Sequence, residues 1–240
     1  MSLLVIPIAL EWVILVTTLA PMVSVGRFNK TPRLGITIWF LALLSAGFAV
    51  ALAAATALFS ILETYLRLSA NPVGSDRWLL ALVTSFAPWL ILAIAGISLA
   101  LVNQRVAPLL IQAKTQLPAL EASFKPVSTF EGYQVYCANL PFFWAAVIRG
   151  RIVVSSHALD NLTDSELSAV LWHEVGHIQG RHNLIKSLAG FVSLLSPGLT
   201  ASRMLSSEVY RLAELDADRI ASRHVSDQLL RDTRSRFTSL

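Results

Sequence analysis

Charged residues are scarce in this sequence. Asp, Glu, Lys and Arg together make up 14% of the 240 residues. An average soluble domain contains about 25% of these residues. The mean hydropathy is correspondingly high, at +0.61. This composition excludes an ordinary soluble domain, so a membrane protein is the first expectation.

Cysteine and clustered basic residues are also nearly absent. The one cysteine, Cys137, excludes an intramolecular disulfide and a cysteine-rich zinc site, and we interpret it as a small buried residue of a strand. The net charge of +4 comes from scattered arginines, without a basic block or a recognition-helix motif. We therefore expect no direct contact with nucleic acid. The excess of arginine over lysine favours a bacterial origin.

Three long runs contain almost no charge. They cover residues 3–25, 35–62 and 78–102, and Glu11 is the one charged residue within them. Each run is long enough to cross a hydrocarbon core of roughly 30 Å as a helix, so we predict a transmembrane domain over residues 1–102. We expect the first run to be retained, because it lacks the basic start of a signal peptide. Glu11 is either a functional carboxyl in the membrane or a residue at headgroup level.

The distribution of positive charge predicts an orientation. The first loop carries Arg27, Lys30 and Arg33 without an acid, and the residues after the third run are basic as well. By the positive-inside rule, both lie in the cytoplasm and the N-terminus lies outside. We therefore expect a multi-pass protein of the inner (plasma) membrane, in contact with the lipid bilayer. Residues 103–240 would form a domain on its cytoplasmic side.

Residues 173–177 have the sequence HEVGH, which fits the pattern H-E-x-x-H. In a helix, His173 and His177 would lie on one face, one turn apart. Two imidazoles so placed can bind one Zn²⁺, and Glu174 beside them can act on the water that the ion polarises. We therefore predict a catalytic zinc site, with one ion per chain.

The residues before this motif predict the helix that carries it. Thr163 and Glu166 form a T-x-x-E capping box, and Leu162 and Leu167 occupy the positions of a hydrophobic staple. Apolar residues then recur at helical spacing, at Leu167, Val170, Leu171, Val175 and Ile178. The two histidines lie beside this apolar stripe, where a buried helix would meet a cleft.

A third ligand is required, because a catalytic zinc takes three protein ligands and keeps one open position. The candidate is Glu214, on a helix that the sequence predicts to start near residues 206–208. Asp218, one turn later, would accept a hydrogen bond from the far nitrogen of a zinc-bound imidazole and fix its tautomer. The alternative is a solvated helix with scattered acids and a histidine pair that binds no metal.

Peptide hydrolysis also needs a donor for the developing oxyanion beside the metal. We rank His224 first for this role, ahead of Tyr210 and Arg223. His157 and His182 are expected to be structural or exposed to solvent, because three ligands are already assigned.

The stretch 184–205 is moderately apolar, and hydropathy alone would suggest a fourth crossing. A crossing would place Glu214 across a roughly 30 Å core from His173 and His177. We therefore predict a helical hairpin or an interfacial helix, broken near Pro197, that rests on or partly in the cytoplasmic leaflet.

Residues 151–159, 164–177, 180–182 and 214–218 together resemble the integral-membrane gluzincin metallopeptidases. We favour the beta-lactam-sensor (penicillinase antirepressor) type, because Gly-Arg-His follows the motif and three hydrophobic segments precede it. The CAAX-prenyl-protease and heat-shock membrane-protease type is next. The resemblance implies that the zinc ligands are His173, His177 and Glu214. It also implies that Glu174 is the general base and that the Asp218 carboxylate supports one of the ligands.

The resemblance also implies how a substrate is held. Three β-prone runs precede the motif, at 130–137, 142–148 and 151–155, and Arg149-Gly150 is a hairpin signal. Gluzincins add an extended substrate as a strand to such an edge. By resemblance the edge residues are Ala145, Ala146 and Val147, although a core hairpin fits the pattern equally well. We predict a mainly α membrane protein: three transmembrane helices, then a small α+β zincin-like metalloprotease domain with a short β-hairpin or sheet.

By resemblance, the expected activity is zinc-dependent endopeptidase cleavage of a protein at the cytoplasmic face. The substrate would be a transcriptional repressor, and a homo-oligomer is left open. A membrane-protein quality-control protease and a non-catalytic zinc-binding scaffold are the alternatives. The sequence after Glu214 contains no further span and no penicillin-binding domain. We therefore do not expect this chain to sense antibiotics directly.

Overall fold

The structure, a computed structural model, describes residues 2–70, 104, 123–195 and 200–237. The third predicted span, 78–102, and the predicted break near Pro197 lie outside the described residues. The boundary between the two predicted domains, after residue 102, lies outside them as well.

Two long apolar helices begin the chain, α1 (Ser2–Ser24) and α2 (Pro32–Ala70). Pro32 begins α2, where a missing N–H leaves no helical hydrogen bond unmade. Each helix contains a stretch that is long and apolar enough to cross a membrane, judged by length and composition, Pro7–Ser24 and Pro32–Glu63. The first two predicted spans fall on these helices.

A four-stranded sheet follows. Its strands are β1 (Lys125–Phe130), β2 (Tyr133–Ala138), β3 (Ala145–Ile148) and β4 (Arg151–Ser155). They lie in the order β1-β2-β4-β3, with β2 and β4 parallel and the two outer pairs antiparallel. Strand β3 is therefore an edge of the sheet.

Both hairpins turn on a residue followed by glycine. Arg149 and Gly150 have φ angles of 49° and 76°, and Glu131 and Gly132 have φ angles of 49° and 81°. Two consecutive positive φ angles are the requirement of the type I′ turn that matches the twist of antiparallel strands. The predicted hairpin at Arg149-Gly150 is present, and the hairpin at Glu131-Gly132 was not predicted.

Five helices complete the described chain: α3 (Ser156–Asn161), α4 (Asp164–Gln179), α5 (His182–Leu195), α6 (Thr200–Ala221) and α7 (Asp227–Arg234). The predicted capping box begins α4, with the Thr163 N–H donating to Glu166 Oε2 at 2.9 Å. Helix α6 begins at Thr200, earlier than the predicted start near 206. Within 184–205 the structure has α5 and the start of α6, which pack against each other; a contact with the leaflet stays a prediction.

Two of the apolar clusters connect the elements around the motif helix and the helix that carries Glu214. One cluster joins the sheet to α4, through Val135, Ile152, Val154, Leu171 and Val175. The other cluster joins α2 to α6, through Ile36, Trp39, Leu205, Val209 and Leu212. The beginning of α2 is therefore part of the same core as the helix that carries Glu214.

The loop between α1 and α2 lies on α6. The Gly26 N–H donates to Glu208 Oε1 at 3.1 Å, and Arg219 Nη1 donates to the Lys30 carbonyl at 3.0 Å. Arg211 Nη1 donates to an Asn29 oxygen at 2.7 Å. The loop thus lies at the same end of α1 and α2 as helix α6.

Candidate metal centre

Helices α4 and α6 bring the three predicted ligands together. His173 Nε2 lies 3.1 Å from His177 Nε2, and each of these nitrogens lies 3.4 Å from an oxygen of Glu214. A tetrahedral ion with bonds of about 2.1 Å holds its ligand atoms about 3.4 Å apart. Two imidazole nitrogens and a carboxylate oxygen are also the donor set that zinc accepts. The donor atoms therefore fit a zinc ion in both separation and chemistry.

The close approach of the two helices depends on Gly176. A Cβ atom at this position would lie 2.8 Å from the Ala217 carbonyl oxygen and 2.9 Å from Ala217 Cα. Both neighbours are backbone atoms of α6, so they cannot move aside as a side chain would. Glycine within the HEVGH motif therefore sets the distance between the histidines and Glu214.

Replacing Gly176 with alanine is expected to push α6 away from α4. Overpacking of this kind destabilises a protein by about 1–3 kcal/mol, and the displaced Glu214 should bind zinc more weakly. Gly190→Ala on α5 is the matched control, because a Cβ there has nothing within 4 Å. Thermal unfolding and bound zinc should be measured for both variants in detergent. Equal zinc content and equal unfolding temperature in the two variants would contradict this account of the helix contact.

Each histidine is supported on its far side. His173 Nδ1 lies 2.8 Å from Asp218 Oδ1, an ion-pair contact rather than a well-aligned hydrogen bond. His177 Nδ1 lies 2.9 Å from the Nδ1 atom of His182, which is 1% exposed. The structure thus places Asp218 beside His173, and its role in fixing the tautomer of a metal-bound imidazole stays a prediction. His182, expected to be structural or exposed, is buried directly behind His177.

The Gly-Arg-His segment was the only sequence signal that could have predicted the position of His182 behind His177, and it is indirect. His182 begins a new helix after Arg181, which has a left-handed φ of 52°. The turn in the Gly-Arg-His segment sends the chain back toward α4, and helical spacing from His177 does not predict that. Burial and the neighbouring His177 lower the pKa of His182 to about 4, so its ring is neutral at neutral pH.

Two cations contact Glu214, the predicted third ligand. Lys186 Nζ donates to Glu214 Oε1 and Arg234 Nη2 donates to Glu214 Oε2, both at 2.8 Å. Burial would raise the pKa of Glu214, but hydrogen bonds from His173, His177 and Lys186 outweigh it and hold this pKa well below its usual value. Glu214 is therefore a carboxylate, the form that binds a metal.

The pKa values of Glu174 and His173 are instead raised. Burial raises the pKa of Glu174, and the nearby His173 and His177 oppose this only in part. Burial lowers the pKa of His173, but the Asp218 and Glu214 carboxylates outweigh it and raise the value to about 9. A carboxylate with a raised pKa is suited to proton transfer. His173 must release its proton when Nε2 binds a metal.

A cavity of about 1210 Å³ opens over these residues. One wall is Trp144 and the first three residues of β3, Ala145, Ala146 and Val147, so the predicted edge strand borders the site. Helix α7 and the residues after it, including Arg234 and Phe237, line the cavity as well. His173, Glu174, His177 and Glu214 are also among the lining residues.

The three residues proposed as donors to the oxyanion differ in their position relative to the cavity. Among the described residues, Tyr210 borders the cavity, whereas His224 and Arg223 are not among its lining residues. The exposed His224 ring stacks on Trp172, with a centroid distance of 3.4 Å and an interplanar angle of 5°. The structure therefore does not bring His224 to the other predicted site residues. His157 contacts the edge of the Phe143 ring and is not a ligand candidate.

The sequence model of Peptidase family M48 matches residues 141–200. The matched segment contains β3, β4, α3, α4 and α5, and therefore both histidines and Glu174, but not Glu214. No curated protein matches the chain. The family match supports a zinc metallopeptidase, while the beta-lactam-sensor type stays a prediction.

Proposed function

We propose that this chain is a membrane-bound zinc endopeptidase that cleaves protein substrates at the cytoplasmic face. The observation that carries the proposal is the convergence of His173, His177 and Glu214 beside the buried Glu174. The match to Peptidase family M48 supports the same reaction. The two apolar helices and the basic loop beside α6 support the membrane location and the orientation.

The chemistry divides between the ion and the chain. His173, His177 and Glu214 would hold the zinc ion, which when bound would polarise water and the peptide carbonyl as a Lewis acid. A carboxylate oxygen of Glu174 takes the proton of the attacking water and later delivers it to the leaving amine. Tyr210, which borders the cavity, replaces His224 as our candidate donor to the developing oxyanion.

The geometry of β3 favours an extended substrate. The Trp144 carbonyl accepts a hydrogen bond from Ser155 N–H on the β4 side, and the Val147 carbonyl accepts one from Asn183 on the other side. Backbone groups alternate in direction along an antiparallel strand, so Ala145 shares the outward direction of Val147. A substrate strand would pair with this edge and pass between β3 and α7.

The family resemblance suggests a signalling protease that cleaves a transcriptional repressor. The small residues Ala145 and Ala146 at the cavity wall favour a second candidate, a quality-control protease, because recognition through backbone groups selects little among sequences. The proteins that accumulate in a deletion strain distinguish the two. One stabilised repressor supports signalling, and many misfolded membrane proteins support quality control.

Removal of the metal is expected to stop cleavage of an unfolded protein such as labelled casein. The purified full chain in detergent should lose activity after dialysis against a chelator and recover it when one equivalent of Zn²⁺ is added. Mg²⁺ is the control, because it prefers oxygen ligands to imidazole. Undiminished cleavage by zinc-free protein would refute the metallopeptidase proposal. Zinc binding without any cleavage would favour the non-catalytic scaffold.

A further inference from the structure

We propose that Arg33, Asp216 and His182 form a hydrogen-bonded chain that holds His177 in the orientation and tautomer that bind the metal. The three are positioning residues, since they act on the metal through His177. The inference rests on the proposed function, because it concerns how the same zinc site is built.

The first step concerns the two nitrogens of His177. Its Nε2 atom faces the candidate metal position, 3.1 Å from His173 Nε2 and 3.4 Å from Glu214. A neutral imidazole carries one proton, and a ligand nitrogen must offer its lone pair. The proton therefore lies on His177 Nδ1, which can donate it to His182 Nδ1 at 2.9 Å.

The second step fixes the tautomer of His182. Because its Nδ1 atom accepts a hydrogen bond, its Nε2 atom carries the proton and donates to Asp216 Oδ2 at 3.1 Å. The Asp216 carboxylate is 3% exposed and also accepts from Arg33 Nε, at 2.9 Å and 3.2 Å to its two oxygens. Every contact then pairs one donor with one acceptor. The opposite tautomers would place the His177 proton on the nitrogen that must bind the metal.

The Gly-Arg-His segment provides room for this arrangement. A Cβ atom on Gly180 would lie 2.0 Å from His182 Nε2, so only glycine leaves space for the ring in this position. Arg181 then reverses the chain so that His182 comes to lie behind His177. Buried polar groups such as His182 and Asp216 each need a partner. Asp216 is the partner of His182, and Arg33, whose side chain is largely exposed, is the partner of Asp216.

The two histidine ligands are therefore supported in different ways. His173 has a carboxylate, Asp218, at 2.8 Å. His177 reaches a carboxylate only through a second imidazole, and that carboxylate is held by Arg33 in the first turn of α2. The position of a metal ligand thus depends on the start of an apolar helix outside residues 141–200.

The test compares two buried carboxylates of α6. Asp216 and Glu208 are each 3% exposed and each is paired with an arginine. Asp216 contacts Arg33 in the first turn of α2, and Glu208 contacts Gly26 in the loop just before that helix. Only Asp216 is connected to a metal ligand among these contacts. Zn²⁺ affinity is measured on the full chain by competition with a chromophoric chelator, and the ligand field is followed by the visible spectrum of Co²⁺.

We expect Asp216→Asn to weaken Zn²⁺ binding by about ten- to a hundredfold, the usual effect of removing a partner of a metal-bound histidine, and to alter the Co²⁺ spectrum. Glu208→Gln should lower the unfolding temperature but leave Zn²⁺ affinity and the Co²⁺ spectrum unchanged. His182→Leu should repeat the loss, and His182→Asn, whose side-chain oxygen can accept from His177 Nδ1, should restore most of it.

Equal Zn²⁺ affinity and an unchanged Co²⁺ spectrum in Asp216→Asn and Glu208→Gln would overturn the inference, even if the His182 variants do not fold. Equal losses in both variants would overturn it as well, because the effect would then be structural. In either case the proposed function would stand, provided that the wild-type protein binds zinc. If the wild-type chain binds no zinc, the proposed function fails instead.

Discussion

Replacing Glu174 with glutamine is expected to abolish peptide hydrolysis while zinc remains bound. The glutamine side chain has nearly the same shape but cannot take a proton from water. General acid–base catalysis contributes about 10²- to 10⁴-fold to a rate, so kcat should fall by about a thousandfold. The measurement is casein cleavage by the zinc-loaded variant, together with its metal content.

The control for this prediction is Asp160→Asn, the corresponding carboxylate-to-amide change at an exposed position of α3. It should leave both kcat and metal content unchanged. Wild-type cleavage by Glu174→Gln would show that the activity comes from another group or from a contaminating protease.

Glu174→Gln should not lower the stability of the metal-free protein at neutral pH. Burial raises the pKa of Glu174 from its ordinary value of 4.5. Protonated Glu174 therefore makes its whole contribution to the free energy of unfolding below about pH 4.5. This contribution is lost as the pH rises through the raised pKa. At neutral pH, chelator-treated Glu174→Gln should consequently unfold at the same temperature as the wild type or at a higher one. A catalytic carboxylate that lowers stability is a common trade-off.

Replacing Glu214 with glutamine is expected to cost the protein its metal. A neutral amide oxygen is a poor zinc ligand, and the change also leaves Lys186 and Arg234 without the carboxylate that each contacts at 2.8 Å. Loss of a supporting residue alone weakens zinc binding by about 10- to 100-fold, so loss of a ligand should exceed a hundredfold. Zinc content after dialysis and Zn²⁺ affinity by chelator competition are the measurements.

Asp232→Asn on α7 is the matched control, because Asp232 is exposed and its carboxylate contacts only the side chain of Gln228 among the contacts the structure describes. It should keep one zinc per chain. Full zinc affinity in Glu214→Gln would exclude Glu214 as a ligand and would require another donor beside His173 and His177.

Local signals were enough to predict the motif helix. The capping box at Thr163 and Glu166, the staple and the apolar spacing are all encoded within one short segment, and α4 begins where they indicate. Glu214 was predicted by a chemical requirement for a third ligand rather than by a local pattern. Its position beside the histidines depends on Gly176, whose role emerges only when two helices meet.

The parts that the sequence did not predict depend on contacts between distant segments. Strand β1 is exposed along most of its length, so it lacks the alternation of a half-buried strand and forms by pairing with β2. The parallel pairing of β2 with β4 is likewise set by tertiary structure. His224 was expected at the active site, but its ring stacks on Trp172 instead.

The shared core around Trp39 joins α2 to α6, the helix that carries Glu214. Trp39 is 1% exposed and packs with Leu205 and Leu212 of α6. A fragment starting at β1 would expose that apolar surface to water and would leave Asp216 without Arg33. Inactivity of such a truncated fragment would therefore say little about the enzyme. Conversely, a lipid or partner that tilts α2 would act directly on the helix that carries Glu214.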